Sequence, residues 1–240
     1  MANNRILVIV TNTGEYRSVG YRTGLWLGEL THFYDHTVDN GIEITIASPA
    51  GGHVPLDPES LTHDVLDELG TGERYHDRAF MDRLADTVPV AEVDVEDFDA
   101  IYFTGGHGVM FDFRGADLGA LTARFWESGR IVSAVCHGPA GILNVPLRDG
   151  SPMIRGRRVT GFSWPEEVAA QRAGAVPFRL EDELIALGAD YSRADELFEP
   201  YVVVDGRLIT GQNPASARPV AQAVVTALRQ DAAETEPSRS

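Results

Sequence analysis

A single cysteine, Cys136, stands in the run Ala134-Val-Cys-His-Gly138. The β-rich apolar stretch Arg130 to Val135 leads into it, and Gly138-Pro-Ala-Gly141 follows. That order reads as a strand turning sharply into a helix, with a nucleophile-type residue at the bend. Gly138 supplies a small residue where the backbone folds back. A thiol held there would sit over the free N–H groups of a helix's first turn, which favour its anion. The expectation is a thiol pKa below the ordinary value and a sulfur able to attack an electrophilic carbon. His137, next in the chain, could polarise the thiol or carry its proton once a carboxylate orients the ring.

Several carboxylates could meet that site. Glu29 lies in the first helical pattern, where it could share a proton with the sulfur or act as general base. Glu166 and Glu167 follow Thr160-Gly-Phe-Ser-Trp-Pro165, a loop after a short strand and a natural origin for an orienting acid. Glu15, after the first strand, is a further candidate. The turn Gly105-Gly-His-Gly108 could offer backbone N–H groups to an oxyanion, since glycine lets main chain approach a substrate closely. Neither phosphate-binding glycine pattern occurs. His32 and His36 have helical i, i+4 spacing with Asp35 between them, but no third ligand is placed, so a polar helix end is the reading and no metal is expected. Trp126 reads as core and Trp164 as pocket wall.

The elements that must position these groups follow from periodicity. Arg5 to Thr11 is an unbroken apolar run, the mark of a strand buried on both faces. Thr23 to Asn40 reads as a helix stopped by Asn40-Gly41, and Ile42 to Ala47 as the next strand, which implies a right-handed parallel crossover. Strands over Asp99–Phe103, Arg130–Val135 and Arg158–Thr160 alternate with helices over Leu118–Glu127, Glu166–Ala173 and Leu180–Leu187. Tyr201 to Thr210 reads as a hairpin turning at Asp205-Gly206. A last helix begins at Asn213-Pro-Ala-Ser216. This pattern predicts an α/β fold, a three-layer sandwich around a mostly parallel, flavodoxin-like sheet, with ligands outside the carboxyl ends of its strands. Residues 1–230 are read as one domain, with a small insertion or cap at about 51–95, where Pro and Gly cluster and short helical patches fall at Ser60–Leu69 and Asp77–Asp86. The polar segment 231–240 reads as a frayed tail.

Composition excludes whole classes. Lys and Arg number 20 against 36 Asp and Glu, a net charge of −16 that repels nucleic acid and anionic membranes. One cysteine cannot close an internal disulfide, which excludes disulfide scaffolds. No run approaches the roughly 18 apolar residues of a membrane helix, and Ile6–Val10 is too short for a signal-peptide core. A cytoplasmic protein is the expectation.

The chain resembles the ThiJ/PfpI superfamily, which has a class I glutamine amidotransferase-like fold. Within it the chain is most similar to the heat-shock-type branch of glyoxalase III, deglycase and holding-chaperone proteins. The matching pieces are Thr23-Gly-Leu-Trp-Leu-Gly-Glu-Leu-Thr-His32, Ile46-Ala-Ser-Pro-Ala-Gly-Gly52, Gly105-Gly-His-Gly-Val-Met-Phe-Asp112, Ala134-Val-Cys-His-Gly-Pro-Ala140, Val159-Thr-Gly-Phe162 and Asp205 to Ser216. The resemblance implies that Cys136 is the nucleophilic, oxidation-prone cysteine, with His137 beside it. Glu29 contacts the sulfur, and Glu167 orients the histidine, with Glu166 as the fallback. Gly106 and His107 form the turn facing the cysteine.

The reaction implied is glutathione-independent conversion of methylglyoxal or glyoxal to a 2-hydroxy acid through a cysteine hemithioacetal, without a cofactor. Deglycation of protein adducts is a possible side activity. Catalysis is assigned to Cys136, His137, Glu29 and Glu167, and oxyanion or substrate binding to Gly106, His107, Gly138, Trp164 and Glu166. The partners expected are a small 2-oxoaldehyde and a second copy in a homodimer. The competing readings are a peroxide sensor oxidised at Cys136 and a holding chaperone using exposed apolar surface. A glutamine amidotransferase would need a late His-x-Glu pair, and no histidine follows His137.

Overall fold

The computed structural model describes residues 4–235. Its central strands are β1 (Arg5–Ile9), β2 (Glu43–Ser48), β3 (Val88–Pro89), β4 (Ala100–Phe103) and β5 (Ile131–Val135). β6 (Arg158–Val159) and β7 (Asp190–Tyr191) form a separate small pair, and β8 (Val202–Asp205) with β9 (Leu208–Gly211) makes the hairpin. The seven-stranded sheet has the order β3-β2-β1-β4-β5-β9-β8. Its pairs are parallel except β8 with β9.

The helices are α1 (Leu27–Asp39), α2 (His63–Leu69), α3 (Gly72–His76), α4 (Arg78–Asp82), α5 (Val109–Asp112), α6 (Ala116–Glu127), α7 (Trp164–Ala169), α8 (Leu180–Ala186) and α9 (Ala217–Thr235). They cover both faces of the sheet. Strand β1 shows why its apolar run does not alternate. Ile6 and Val8 pack with Leu30 and Phe33 of α1 and Val220 and Val224 of α9. Leu7 and Ile9 point the other way, into a cluster with Leu121 and Phe125 of α6. Both faces of the strand are buried, so both must be apolar.

Some expected boundaries shift, and the segment read as an insertion joins the core. Helix α1 starts at Leu27 rather than Thr23 because Leu25 pairs with the chain around Leu56: Leu25 N–H donates to the Pro55 carbonyl at 2.8 Å, and Asp57 N–H donates to Leu25 at 2.9 Å. Glu29 thereby falls in the helix's first turn. The segment 51–95 is tied into the body: β3 adds to the sheet edge, Val54, Phe80 and Leu84 join one core cluster, and Val90 and Val95 join the other. The polar stretch from Asp231 stays helical through Thr235; residues 236–240 of the expected tail lie outside the described residues.

β1 lies between β2 and β4, so the chain switches direction across the sheet at that point, where α/β sheets open a crevice at their carboxyl ends. The Gly105 turn leaves β4 there, and Cys136 leaves β5 beside it. Cys136 has φ 58°, a left-handed conformation rare for a non-glycine residue and expected of a nucleophile elbow. Gly138 closes the bend for a steric reason. A Cβ there would run into the carbonyl oxygens of Phe103 and Thr104 at the end of β4. Gly138→Ala is therefore expected to lower stability by about 1–3 kcal/mol, as overpacking does. Urea unfolding measures it, and a wild-type midpoint would contradict the packing argument.

Candidate active site

The elbow places the Cys136 sulfur 3.3 Å from Nδ1 of His137. On the other side of that ring, Nε2 lies 2.8 Å from Oε2 of Glu167. An ionised carboxylate can only accept, so His137 carries its proton on Nε2 and leaves Nδ1 as an acceptor for the thiol. The second oxygen of Glu167 takes another imidazole: Nε2 of His107 is 2.7 Å from Oε1. The two histidine rings lie 4.1 Å apart. One buried carboxylate thus orients two imidazoles at once.

The electrostatics follow from that arrangement. Burial would raise Glu167, but the two imidazoles that donate to it outweigh burial and hold its carboxyl well below the usual range. Burial, and then the neighbouring His107, lower His137, so it is a neutral base at neutral pH. Glu29 is fully buried in the first turn of α1 and faces the Cys136 thiol. Neither of its oxygens has a well-formed hydrogen bond among the described residues. Burial pushes its pKa up to about 8, against the smaller opposing effects of the Cys136 thiol and the Gly105 N–H. The carboxyl is therefore protonated at neutral pH.

The thiol corrects an expectation. Burial, followed by the charge of Glu29 when that group ionises, pushes Cys136 well above its ordinary value. The lowering expected from a helix N-terminus is absent because the elbow opens only a short 3-10 turn, Gly138–Ile142. The Gly106 N–H, which favours the thiolate, is too weak a counterweight. The acid beside the sulfur, Glu29, holds its proton, so deprotonation must come through His137.

A cavity of about 270 Å³ opens over this cluster. Cys136, His137, Glu29, Gly106 and His107 all line it. Four other expected site residues do not: Glu167, which stands behind the two histidines, and Gly138, Trp164 and Glu166. Gly138 is buried in the elbow. Trp164 starts α7 and lies under the guanidinium of Arg179 at 4.0 Å. Glu166 is turned away from the cavity and serves its own helix. It closes a capping box with Ser163 and accepts from Phe198 and Asn213. Its neighbour Glu167, one residue on, points at the histidines. Glu15 is exposed in the loop after β1.

Sequence reasoning missed other wall residues: Trp26, Glu59, Phe162 and Phe198. Of the glycine pair it named Gly106, which lines the cavity and is itself tightly enclosed, but not Gly105, whose neighbours are the reacting groups. A Cβ on Gly105 would strike Glu29 and come within 2.9 Å of the Cys136 Cβ and 3.0 Å of the His137 nitrogen. Two glycines in succession were the only signal. The ligand atoms of His107, His137 and Glu167 lie within 4.8 Å of one another, a spacing that could hold a metal ion. Direct N–H to carboxylate bonds already satisfy them, and this donor set needs no ion.

A mostly parallel α/β sheet with a cysteine elbow facing a buried acid defines a class of cysteine-centred α/β proteins. Residues 26–227 match the DJ-1/PfpI family, and the chain belongs to that family. Over 239 residues the chain is 30% identical to the glutathione-independent glyoxalase HSP31 of Saccharomyces cerevisiae, covering 95% of this chain and 100% of that one. Among solved structures, glyoxalase III from Candida albicans superposes with a TM-score of 0.82 at 29% identity, over 93% of this chain and 97% of that one. The 24 kDa Rapid Encystment Protein of Francisella tularensis gives 0.86 at 36% identity, over 94% and 99%.

The buried acid has a stability signature. Glu29 keeps its proton in the folded chain up to about pH 8, whereas in the unfolded chain it ionises near its ordinary value of 4.5. Between those values the folded state binds the extra proton, so rising pH costs stability, by up to about 1.4 kcal/mol per pH unit. Glu29→Gln removes that slope. Its melting temperature relative to wild type is expected to climb from pH 5 to pH 8. A difference that stays constant across this range would show that Glu29 is ionised in the fold.

Proposed function

We propose that the chain is a glutathione-independent glyoxalase that converts small 2-oxoaldehydes to 2-hydroxy acids in a cytoplasmic, reducing setting, as the homodimer its family resemblance implies. The observation that carries this reading is the cysteine held between a neutral imidazole at 3.3 Å and a buried, protonated carboxyl group. That pairing can both add a sulfur to an aldehyde and move a proton between adjacent carbons.

Sγ of Cys136 bonds to the aldehyde carbon while its proton passes to Nδ1 of His137. Glu29 protonates the aldehyde oxygen and becomes a carboxylate. The product is a hemithioacetal. The Glu29 carboxylate then removes the hydrogen from that same carbon, and the His137 imidazolium protonates the neighbouring ketone oxygen, which gives an enediol. Glu29 returns its proton to the second carbon while His137 takes the hydroxyl proton from the first, leaving a thioester and a hydroxyl-bearing carbon. Water attacks the thioester and passes one proton to Glu29, as His137 returns one to the departing sulfur. Both helpers end in their starting states, and the net change is addition of one water. Glu167 holds the His137 tautomer throughout, and Gly106 N–H is available to the sulfur or a developing oxyanion.

Cys136→Ser is expected to reduce lactate formation from methylglyoxal, without glutathione, to the uncatalysed level. His137→Asn is expected to cost ~10²–10⁴-fold. Wild-type turnover in the serine variant would end the mechanism. The pH profile has a stated sign. Attack needs Glu29 protonated and His137 neutral, so kcat/KM should fall above about pH 8 and, on the acid side, only below the ordinary histidine value. A rate that keeps rising beyond pH 9 with thiol ionisation would contradict it.

A further inference from the structure

One wall of the cavity takes no part in the proton transfers. The Phe162 ring lies 4.4 Å from the His137 ring, and the Phe198 ring lies 6.3 Å from Phe162. Phe198 lines the cavity yet remains 45% exposed. It comes from a stretch between β7 and β8 that has no helix or strand of its own. Its φ is 63°, a left-handed conformation that a bulky side chain rarely adopts.

Glu166 holds it there. This fully buried carboxylate accepts the Phe198 N–H at 2.9 Å and Asn213 Nδ2 at 3.0 Å on one oxygen. The other oxygen accepts the Ser163 N–H at 3.0 Å and Ser163 Oγ at 2.8 Å. Asn213 in turn donates to the Glu199 carbonyl at 2.7 Å, beside Phe198. A buried acceptor that takes a loop N–H directly, and holds the next carbonyl through Asn213, over-determines that backbone, which is how an unfavourable φ persists next to a site. At the same cavity Glu59 is paired with Arg172, so neither is a free charge awaiting an ionic substituent.

We propose that Phe198, positioned by Glu166, is a specificity-determining residue. It selects 2-oxoaldehydes whose ketone carbon carries an aryl or branched alkyl group, packed against the Phe198 and Phe162 rings, over those that carry a methyl. The proposal rests on the glyoxalase reading above. Aromatic stacking and apolar burial strengthen binding of ground state and transition state alike, so the preference is expressed in KM. A cavity of about 270 Å³ leaves room for such a group beyond the reacting carbons.

The test compares phenylglyoxal with methylglyoxal in steady-state kinetics of the wild type, Phe198→Ala and Glu166→Gln. Wild type is expected to show the higher kcat/KM for phenylglyoxal. In Phe198→Ala the ratio of the two kcat/KM values should fall about tenfold, the scale on which an apolar pocket discriminates, with the loss in KM for phenylglyoxal. Glu166→Gln should lower the ratio in the same direction, because an amide accepts through one oxygen only and must turn its NH2 on the donors of either Phe198 and Asn213 or Ser163. Should that variant not fold, Phe198→Ala decides alone. An unchanged ratio in Phe198→Ala, or a wild-type preference for methylglyoxal, overturns the proposal and leaves the glyoxalase reading standing. A wild type that turns over neither aldehyde overturns both together.

Discussion

A carboxyl group with no well-formed hydrogen bond, buried against a thiol, is the constraint on which the rest of the site depends. In water Glu29 would ionise. In the dry corner between α1 and the elbow it keeps its proton to about pH 8. That single fact turns an acid into a donor that can become a base one step later. It also requires a different group to take the thiol proton, and His137 is the neutral acceptor within reach. The cost of burying the acid falls on the fold, and the benefit appears only when a substrate oxygen is present to receive the proton.

The scaffold meets this constraint by convergence of strand ends. β4 ends in a glycine pair that leaves room for the Glu29 carboxyl, and β5 ends in the left-handed bend at Cys136. Helix α7 brings in Glu167, whose two oxygens fix two imidazoles. No element contributes more than a few atoms, yet each is tied to a core packed on both sides of the sheet. Adjacent acids on one helix have divided their work. Glu167 faces the chemistry and stays ionised through its histidines, whereas Glu166 fixes backbone that forms the cavity wall.

Much of this was legible in the sequence because local pattern controls it. The unbroken apolar run at Arg5–Ile9, the Asp205-Gly206 hairpin and the small residues around Cys136 each specify a conformation without distant partners. The parallel sheet and its cysteine turn followed from them, and the family from the resemblance of whole motifs. What was not legible depends on contacts across the chain. The first turn of α1 could not be placed at Leu27 because Leu25 finds its partner at Leu56. The direction of the thiol's shift was misread because helix N–H groups were expected where a short 3-10 turn and a buried acid stand. Trp164 and Gly138 have site-like neighbours in sequence and structural roles in space. Phe198 lies in a segment with no periodicity, and only the reach of Glu166 across 32 residues reveals it.

The account stands on sulfur attack followed by a proton shift carried by Glu29, and trapping the intermediate separates those two steps. In Glu29→Gln the His137 imidazolium can pass the thiol's own proton to the aldehyde oxygen, so a slower adduct still forms, but no carboxylate is there to remove the hydrogen. Intact-protein mass spectrometry of this variant after brief exposure to methylglyoxal should show a single adduct of one aldehyde mass, located on Cys136, with almost no lactate released. Lactate formed at the wild-type rate by Glu29→Gln, with Cys136 unmodified throughout, would contradict it.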